Sequence, residues 1–284
     1  MMNAQQERVP VAAIQMVSGP DLDTNLAAAG RLLERAAGAG ASLAVLPEAF
    51  ALYLSGEQRR LGEDEAGPQP RVRAVLQEQA ARHRLWLVGG TLPLLAAGAA
   101  RPHAACLVYD ADGREVARYD KTHLFDVDVG DRQGSYRESD TFCAGGGQVV
   151  TVPTPWGRLG LAVCYDLRFP ELFQLLREQG AELIAVPSAF TRRTGLAHWL
   201  PLLRARAIET QCYLIGANQG GEHSAKRHTS GGSAIIDGWG TVLAEAPFGE
   251  RAVVAEVDLE ELRRLRAAMP VAAHRRFRVV PAEC

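Results

Sequence analysis

An α/β protein is predicted, organised as a four-layer α-β-β-α sandwich of two similar halves. Apolar β-rich runs alternate along the chain with helical patterns of crossover length, which is the signature of α/β units. The stretch GASLAVLPEAF at 40–50 also recurs as GAELIAVPSAF at 180–190, keeping Gly, Ala, Leu, Pro, Ala and Phe at the same spacing. Directly after the proline the two copies differ, Glu48 being answered by Ser188. Finally, 284 residues that are 47% apolar suffice for a large core.

Each element follows in order. VPVAAIQM (9–16) reads as a strand, 23–40 as a helix, SLAVLP (42–47) as a strand, 70–84 as a helix and LWLVGGTLP (85–93) as a strand. A hairpin is expected over 105–120, because Asp112-Gly113 lies between two strand-like runs. The second half repeats the plan: strand 158–166, a helix over 169–182 with Pro170 near its start, strand 183–187, helix 198–211 and strand 212–219. The hairpin over 231–246 matches the first, with Asp237 and Gly240 answering Asp110 and Gly113. No Pro/Ser-rich linker separates the halves, so one domain is expected, with facing sheets and outer helices.

Bulk properties exclude several functions. A formal net charge of -2 and a pI near 6.4 provide no general basic field, so nucleic acid is not an expected partner. MMNAQQERVP lacks a basic region followed by an apolar one, and no run approaches the roughly 20 apolar residues of a membrane span. A soluble cytoplasmic protein is expected. Cys106, Cys143, Cys164, Cys212 and Cys284 form no CxxC pair, which suggests neither a disulfide framework nor a zinc knuckle.

Ligand sites in α/β sheets lie beyond the carboxyl ends of strands. Glu48 and Cys164 both fall there, facing a shared crevice. A free Cys ending a buried strand is ordinarily a small packed hydrophobe. Here CYDLRFPEL turns abruptly from apolar strand to polar residues and then starts a helix, a turn that exposes the first side chain and aims backbone N–H groups beside it. His123 and His198 follow no papain-like or caspase-like pattern, so a Cys–His pair stays open without support. The other candidate base is Glu48, a carboxylate whose proton affinity a dry pocket would raise. A lone Glu after a strand is otherwise usually a solvated loop residue.

Together PEAF, YDKTHLFD (119–126) and CYDLRFPEL (164–172) resemble the nitrilase (carbon-nitrogen hydrolase) superfamily, over about residues 9–277. The resemblance implies the four-layer sandwich, a homodimer, and one domain over 1–284 with a core at about 9–260 and a tail at 261–284. It implies a catalytic set of Glu48, Lys121 and Cys164, with a second glutamate at Glu138 in YRESDTF, in a segment one residue longer than usual. No cofactor and no metal are implied. A thiol with a pKa of about 8.5 is only slightly ionised at neutrality, so Cys164 needs a base and a positive neighbour. Glu48 would take the thiol proton and later activate water, Lys121 would stabilise the oxyanion with the backbone N–H after Cys164, and Glu138 would orient Lys121.

The segment Tyr165 to Glu171 and the tail LRRLRAAMPVAAHRRF resemble the Nit amidases, which act on ω-amides of 2-oxo dicarboxylic acids, including α-ketoglutaramate and deaminated glutathione. SGGS at 230–233 departs from the Gly-His-Ser of many members. The implied substrate is therefore a small carboxylate-bearing ω-amide that releases ammonia. An N-carbamoyl amino acid amidohydrolase or a nitrilase is the alternative of like chemistry. A non-catalytic binding or scaffolding protein would predict loss of a catalytic residue, and none is missing; acyl transfer to lipoprotein is disfavoured by the absence of membrane spans. The substrate side is expected from Tyr165, Arg168, Phe190 and Thr194. Arg168, four residues beyond Cys164, suits a carboxylate, or else pairs structurally with Asp166 or Glu171.

Overall fold

The computed structural model describes residues 8–53, 56–131 and 133–280. The first half runs β1 (Arg8–Gln15), α1 (Leu22–Gly38), β2 (Leu43–Val45), α2 (Gln58–Ala66), α3 (Arg71–His83), β3 (Trp86–Val88), β4 (Leu92–Leu94), β5 (His103–Tyr109) and β6 (Glu115–Asp120). A small hairpin, β7 (Asp126–Asp128) and β8 (Ser135–Arg137), stands between the halves. The second half runs β9 (Thr151–Pro153), β10 (Arg158–Leu161), α4 (Pro170–Glu178), β11 (Leu183–Ser188), α5 (Arg192–Thr210), β12 (Tyr213–Asn218), β13 (Ala234–Ile236) and β14 (Val242–Glu245). Then come β15 (Arg251–Asp258), α6 (Leu259–Ala268) and α7 (Val271–His274).

One sheet has the order β15-β1-β2-β3-β5-β4, with β6 paired to β5; the other has the order β14-β13-β12-β11-β10-β9. The predicted repeat is present in the pairing. Parallel β1-β2-β3 and parallel β10-β11-β12 are each followed by an antiparallel strand, β5 or β13, and its hairpin partner, β6 or β14.

Side-chain alternation produces the layers. Val9, Val11 and Ala13 of β1 join Leu43, Val45 and Val88 in one apolar cluster with Leu161, Ile184 and Val186 of the other sheet. The intervening Ala12, Ile14, Ala44 and Leu87 pack outward on Leu32, Leu33, Leu76 and Ala80 of α1 and α3. Successive strand residues point to opposite faces, so a strand buried on both reads as a continuous apolar run. Asp21 caps α1 by accepting from the Thr24 N–H at 2.8 Å, and Thr191 caps α5.

Several boundaries differ from expectation. The single strand at 85–93 is two strands, because the chain turns at Gly90: its φ is +59°, and a Cβ there would lie 2.2 Å from the Pro47 carbonyl oxygen. The strand at 158–166 ends at Leu161, and Cys164–Arg168 form a 3-10 turn. The helix at 198–211 starts six residues earlier, at the Thr191 cap, and accommodates Pro201. α2 and β15 escaped the sequence patterns; α2 buries only Leu61, Gly62 and Glu65, and β15 is mostly half-exposed. β15 nonetheless pairs with β1 from Arg8↔Asp258 to Gln15↔Arg251, so a strand following the second half edges the sheet of the first. α6 then buries Leu259 and Leu262.

The carboxyl ends of the strands are joined by one amide. Fully buried Gln219 accepts from the Ser18 N–H at 3.0 Å and donates to Ser18 Oγ at 2.9 Å and to the Glu48 carbonyl at 3.1 Å. A residue after β12 thereby holds the turns after β1 and β2. Gln219→Leu would leave a buried N–H and a buried carbonyl unpaired, which costs about 2–4 kcal/mol in total. Chemical denaturation should show a loss of that order; a change within about 0.5 kcal/mol would mean the amide does not hold the halves together.

Candidate active site

Three turns bring the candidate residues together. β2 leads through Leu46-Pro47 to Glu48, and Ala49 follows at φ +53°, a left-handed value that non-glycine residues seldom adopt. That turn is pinned where Ala49 N–H donates to Thr91 Oγ1 at 2.9 Å. Lys121 continues from β6, its N–H on the Ala104 carbonyl at 3.0 Å and its carbonyl accepting from Gly145 N–H at 2.7 Å. Cys164 opens its turn at φ +47°. Such strain, on the order of 1–3 kcal/mol, persists only where the surroundings over-determine it.

Asp166 is the main brace. Fully buried, it accepts from the Val163 N–H at 2.8 Å, the Tyr119 hydroxyl at 2.8 Å and the His123 N–H at 3.1 Å, and lies 2.7 Å from His123 Nδ1. It thus ties the Cys164 turn to the segment on both sides of Lys121. From α5, Arg206 Nε donates to the Leu167 carbonyl at 2.9 Å.

Lys121, only 1% exposed, has its Nζ 2.7 Å from Glu48 Oε1 and 2.8 and 2.7 Å from the two oxygens of Glu138. Glu138 stands in the 3-10 turn Glu138–Asp140 directly after β8 and also accepts from the Phe125 N–H at 2.7 Å. The Cys164 side chain lines the same cavity as Glu48, Lys121, Glu138 and Ala189. The expected Glu48, Lys121, Cys164 and Glu138 therefore share one site.

Its electrostatics follow from burial against charge. Burial opposes the ammonium of Lys121, but Glu138 and Glu48 outweigh it and hold the lysine well above its usual range. Burial likewise raises the Glu138 carboxyl, against the pull of Lys121. Burial, reinforced by the Glu48 charge and opposed by Lys121, pushes the Cys164 thiol well above its usual range. Two carboxylates and one ammonium already sum to one negative charge, and a thiolate would add a second. The resting sulfur is therefore protonated, with the Glu48 carboxylate in the same cavity to receive its proton.

A cavity of about 270 Å³ opens over these groups. One wall is an arc of rings: Tyr165 to Phe125 at 5.1 Å and Phe125 to Tyr136 at 5.2 Å between centroids. Tyr165, Arg168, Phe190 and Thr194 all line the cavity. Arg168 lies 5.8 Å from the Tyr165 ring and 5.4 Å from the Phe190 ring, and its Nη1 is 3.2 Å from His198 Nδ1. The alternative pairing of Arg168 with Asp166 or Glu171 does not occur: Asp166 is engaged elsewhere, and among the described residues Arg168 makes no ion pair. Asn218 Oδ1 fixes the Phe190 N–H at 2.9 Å, and the Thr194 hydroxyl is 2.9 Å from Thr191 Oγ1.

Neither histidine weighed as a base serves the thiol. His123 is bound to Asp166 and stacked on Phe169 at 3.6 Å, and His198 contacts Arg168. Sequence reasoning missed Asp166 as the brace, and also Tyr53, Tyr136 and Arg227 in the cavity lining. Asp166 was legible in principle, as the acid inside CYDLRFPEL; Arg227, in a polar loop, looks like any solvated cation. Among the described residues, no group of three or more His, Cys, Asp or Glu is arranged to hold a metal ion.

Residues 10–267 match the family model described as carbon-nitrogen hydrolase. The deaminated glutathione amidase of Yersinia enterocolitica is 41% identical over 270 residues, covering 94% of this chain and 93% of its own. The solved structure of the C. elegans NitFhit protein superimposes with a TM-score of 0.87 at 41% identity; the match covers 95% of this chain and 65% of that one. Saccharomyces cerevisiae Nit3, a member of branch 10 of the nitrilase superfamily, superimposes with a TM-score of 0.85 at 32% identity, covering 95% and 97% of the two chains.

Glu48→Gln supplies a test of the charge balance. Removing that negative charge leaves Lys121 acting on the sulfur with less opposition, so Cys164 should ionise at lower pH than in the wild type. Ultraviolet difference titration against Cys164→Ser would record this as an earlier rise in thiolate absorbance. An unchanged or later rise would show that Glu48 does not govern the thiol.

Proposed function

The chain belongs to the carbon-nitrogen hydrolase family, in the Nit amidase branch of the nitrilase superfamily, and is a hydrolase acting on amides; we propose that it cleaves a small carboxylate-bearing ω-amide through a thioester on Cys164. The observation that carries this reading is the Lys121 ammonium clamped between Glu48 and Glu138 in one cavity with the Cys164 thiol. The guanidinium of Arg168 in the same wall, free of any ion pair among the described residues, supports a carboxylate on the substrate.

The reaction follows from the charge balance. Cys164 Sγ attacks the amide carbon as its proton passes to Glu48, so a C–S bond forms while negative charge moves to the carbonyl oxygen. Lys121 and backbone N–H groups at the Cys164 turn stabilise that oxyanion, a contribution typically worth ~3 kcal/mol per donor. Glu48 returns the proton to the nitrogen, the C–N bond breaks and the amine leaves, as ammonia from a primary amide. Water then gives a proton to Glu48 as it adds to the thioester; the C–S bond breaks and the proton goes back to sulfur. Glu138 keeps Lys121 oriented throughout. No step adds charge to the buried set, which is what a dry site requires.

Arg168 would read the acyl-side carboxylate, with Tyr165 and Phe190 as walls and Thr194 as a hydroxyl donor. Several Nit relatives are named deaminated glutathione amidase, which supports ω-amides of 2-oxo dicarboxylic acids as the class. We further propose a cytoplasmic homodimer; apolar Leu196 and Ile208 on α5, and Trp239, are exposed and available to a second copy. No helix among the described residues is long and apolar enough to cross a membrane.

Product release from a panel of ω-amides, N-carbamoyl amino acids and nitriles tests the class, and ω-amides should be turned over best. Cys164→Ala should abolish turnover with the fold intact, and mass spectrometry of amide-treated wild type should place the adduct on Cys164 alone; an active Ala variant would sink the mechanism. Arg168→Lys keeps the charge but loses the planar fork, so it should slow carboxylate-bearing ω-amides by about tenfold or more relative to neutral amides of equal length. Equal slowing of both would assign Arg168 to holding the turn.

A further inference from the structure

The start of α5 and the segment 222–229 form a wall with two sides. Thr191 bridges Thr229 in antiparallel register, and the Arg192 N–H donates to the His228 carbonyl at 2.9 Å, so the two segments are joined edge to edge. On one side Thr191, Thr194 and Arg227 line the cavity that holds Cys164. On the other, their chain neighbours Arg192, Arg193, Lys226 and His228 line a second, wider cavity of about 890 Å³, and no residue lines both.

The second cavity gathers positive charge from both segments, two guanidiniums from one and an ammonium and an imidazole from the other, against the carboxylates of Glu222 and Asp131. Glu222 stands 3.9 Å from Arg192 and 3.8 Å from His228 Nδ1, beyond hydrogen-bond distance of either. Asp131 is taken up by the Tyr136 hydroxyl at 2.6 Å and by the Gln133 and Gly134 N–H groups. Arg193 Nη1 donates to the Gly130 carbonyl, and the Arg192 guanidinium lies 5.6 Å from the Phe248 ring; these contacts place both cations without neutralising them. Lys226 makes no ion pair among the described residues.

A phosphoryl group carries close to two negative charges at neutral pH, and its oxygens accept hydrogen bonds from several directions at once. It therefore suits cations that converge from two segments, and the volume leaves room for the body that bears it. We infer that this cavity is an effector site for a phosphorylated small molecule, held by Arg192 and Arg193 from α5 and by Lys226 from the opposite segment. Such a ligand ties the two segments together and restricts the wall whose other side presents Thr194 and Arg227 to the catalytic cavity. A substrate then binds at a lower ordering cost, which lowers its KM.

The test uses the full chain, inorganic phosphate as the probe, and lysine acetylation by sulfosuccinimidyl acetate followed by mass spectrometry. The sequence contains two lysines, of which Lys121 is 1% exposed and Lys226 is exposed, so the reagent reports on Lys226. Saturating phosphate should slow acetylation of Lys226 by about fivefold or more relative to chloride at equal ionic strength. Arg192→Gln combined with Arg193→Gln, at two exposed positions, should abolish that protection. In the wild type the same phosphate should lower KM for the best ω-amide by about threefold with kcat little changed, and the double variant should not respond. Protection no greater than with chloride, or undiminished in the double variant, would reduce the cluster to a solvated surface. A KM that rises in proportion to phosphate would make the cavity an annex of the catalytic one, and a KM that does not move would remove the effector role. Were no ω-amide turned over, the substrate reading would fall while the acetylation result still decided the site.

Discussion

A lysine ammonium shut away from water between two carboxylates is the constraint that the surrounding structure satisfies. Lys121 could not remain charged at that depth alone, because burial opposes it; Glu48 and Glu138 reverse the outcome with contacts of 2.7 to 2.8 Å. The three come from the end of β2, the end of β6 and the turn after β8. Their sum of one negative charge keeps the neighbouring thiol protonated until a substrate carbonyl can take up the charge. In the proposed reaction, proton transfer within the set replaces solvent as the source of charge stabilisation.

Holding such a set demands a rigid frame, and the sandwich supplies it at the carboxyl ends of its strands. Ala49 and Cys164 adopt left-handed backbone angles that their side chains disfavour. Each is surrounded by partners from other elements. Thr91 and Gly90 support the Glu48 turn, Asp166 and Arg206 support the Cys164 turn, and Gln219 joins the first half to the second. The packed sheets behind these turns allow little relaxation, so strain is retained where it aims a side chain.

The recognition side is built from different material. The β7–β8 hairpin lies in neither main sheet, yet Glu138 follows it directly and it carries Tyr136. The copy of the opening motif that lacks the acid contributes Phe190 to the cavity wall and the start of α5 just beyond it contributes Thr194, while Ser188 is buried with its hydroxyl on the Val186 carbonyl at 3.2 Å. One half of the repeat thus brings the carboxylate, and the other brings the nucleophile and much of the wall. Divergence after the proline of the duplicated unit, Glu48 against Ser188, leaves the carboxylate on one half alone.

The sequence by itself determined the alternation of strands and helices, the duplication, and the short motifs holding Glu48, Lys121 and Cys164, because period and turn chemistry are local properties. Glu138 was reachable only through resemblance, since nothing in YRESDTF marks one acid as buried. β15 and α2 lacked a one-sided apolar pattern, and their place was decided by partners far along the chain, β1 above all. Asp166 as a four-contact brace, Arg168 free of the neighbouring acids and Arg227 over the Tyr53 and Tyr136 rings were likewise decided only by the tertiary structure. The contact of Arg227 with Tyr53 spans 174 positions, and that of His123 with Asp166 spans 43. A polar side chain's partner and dryness are set by what packs against it from elsewhere, and no local pattern encodes that.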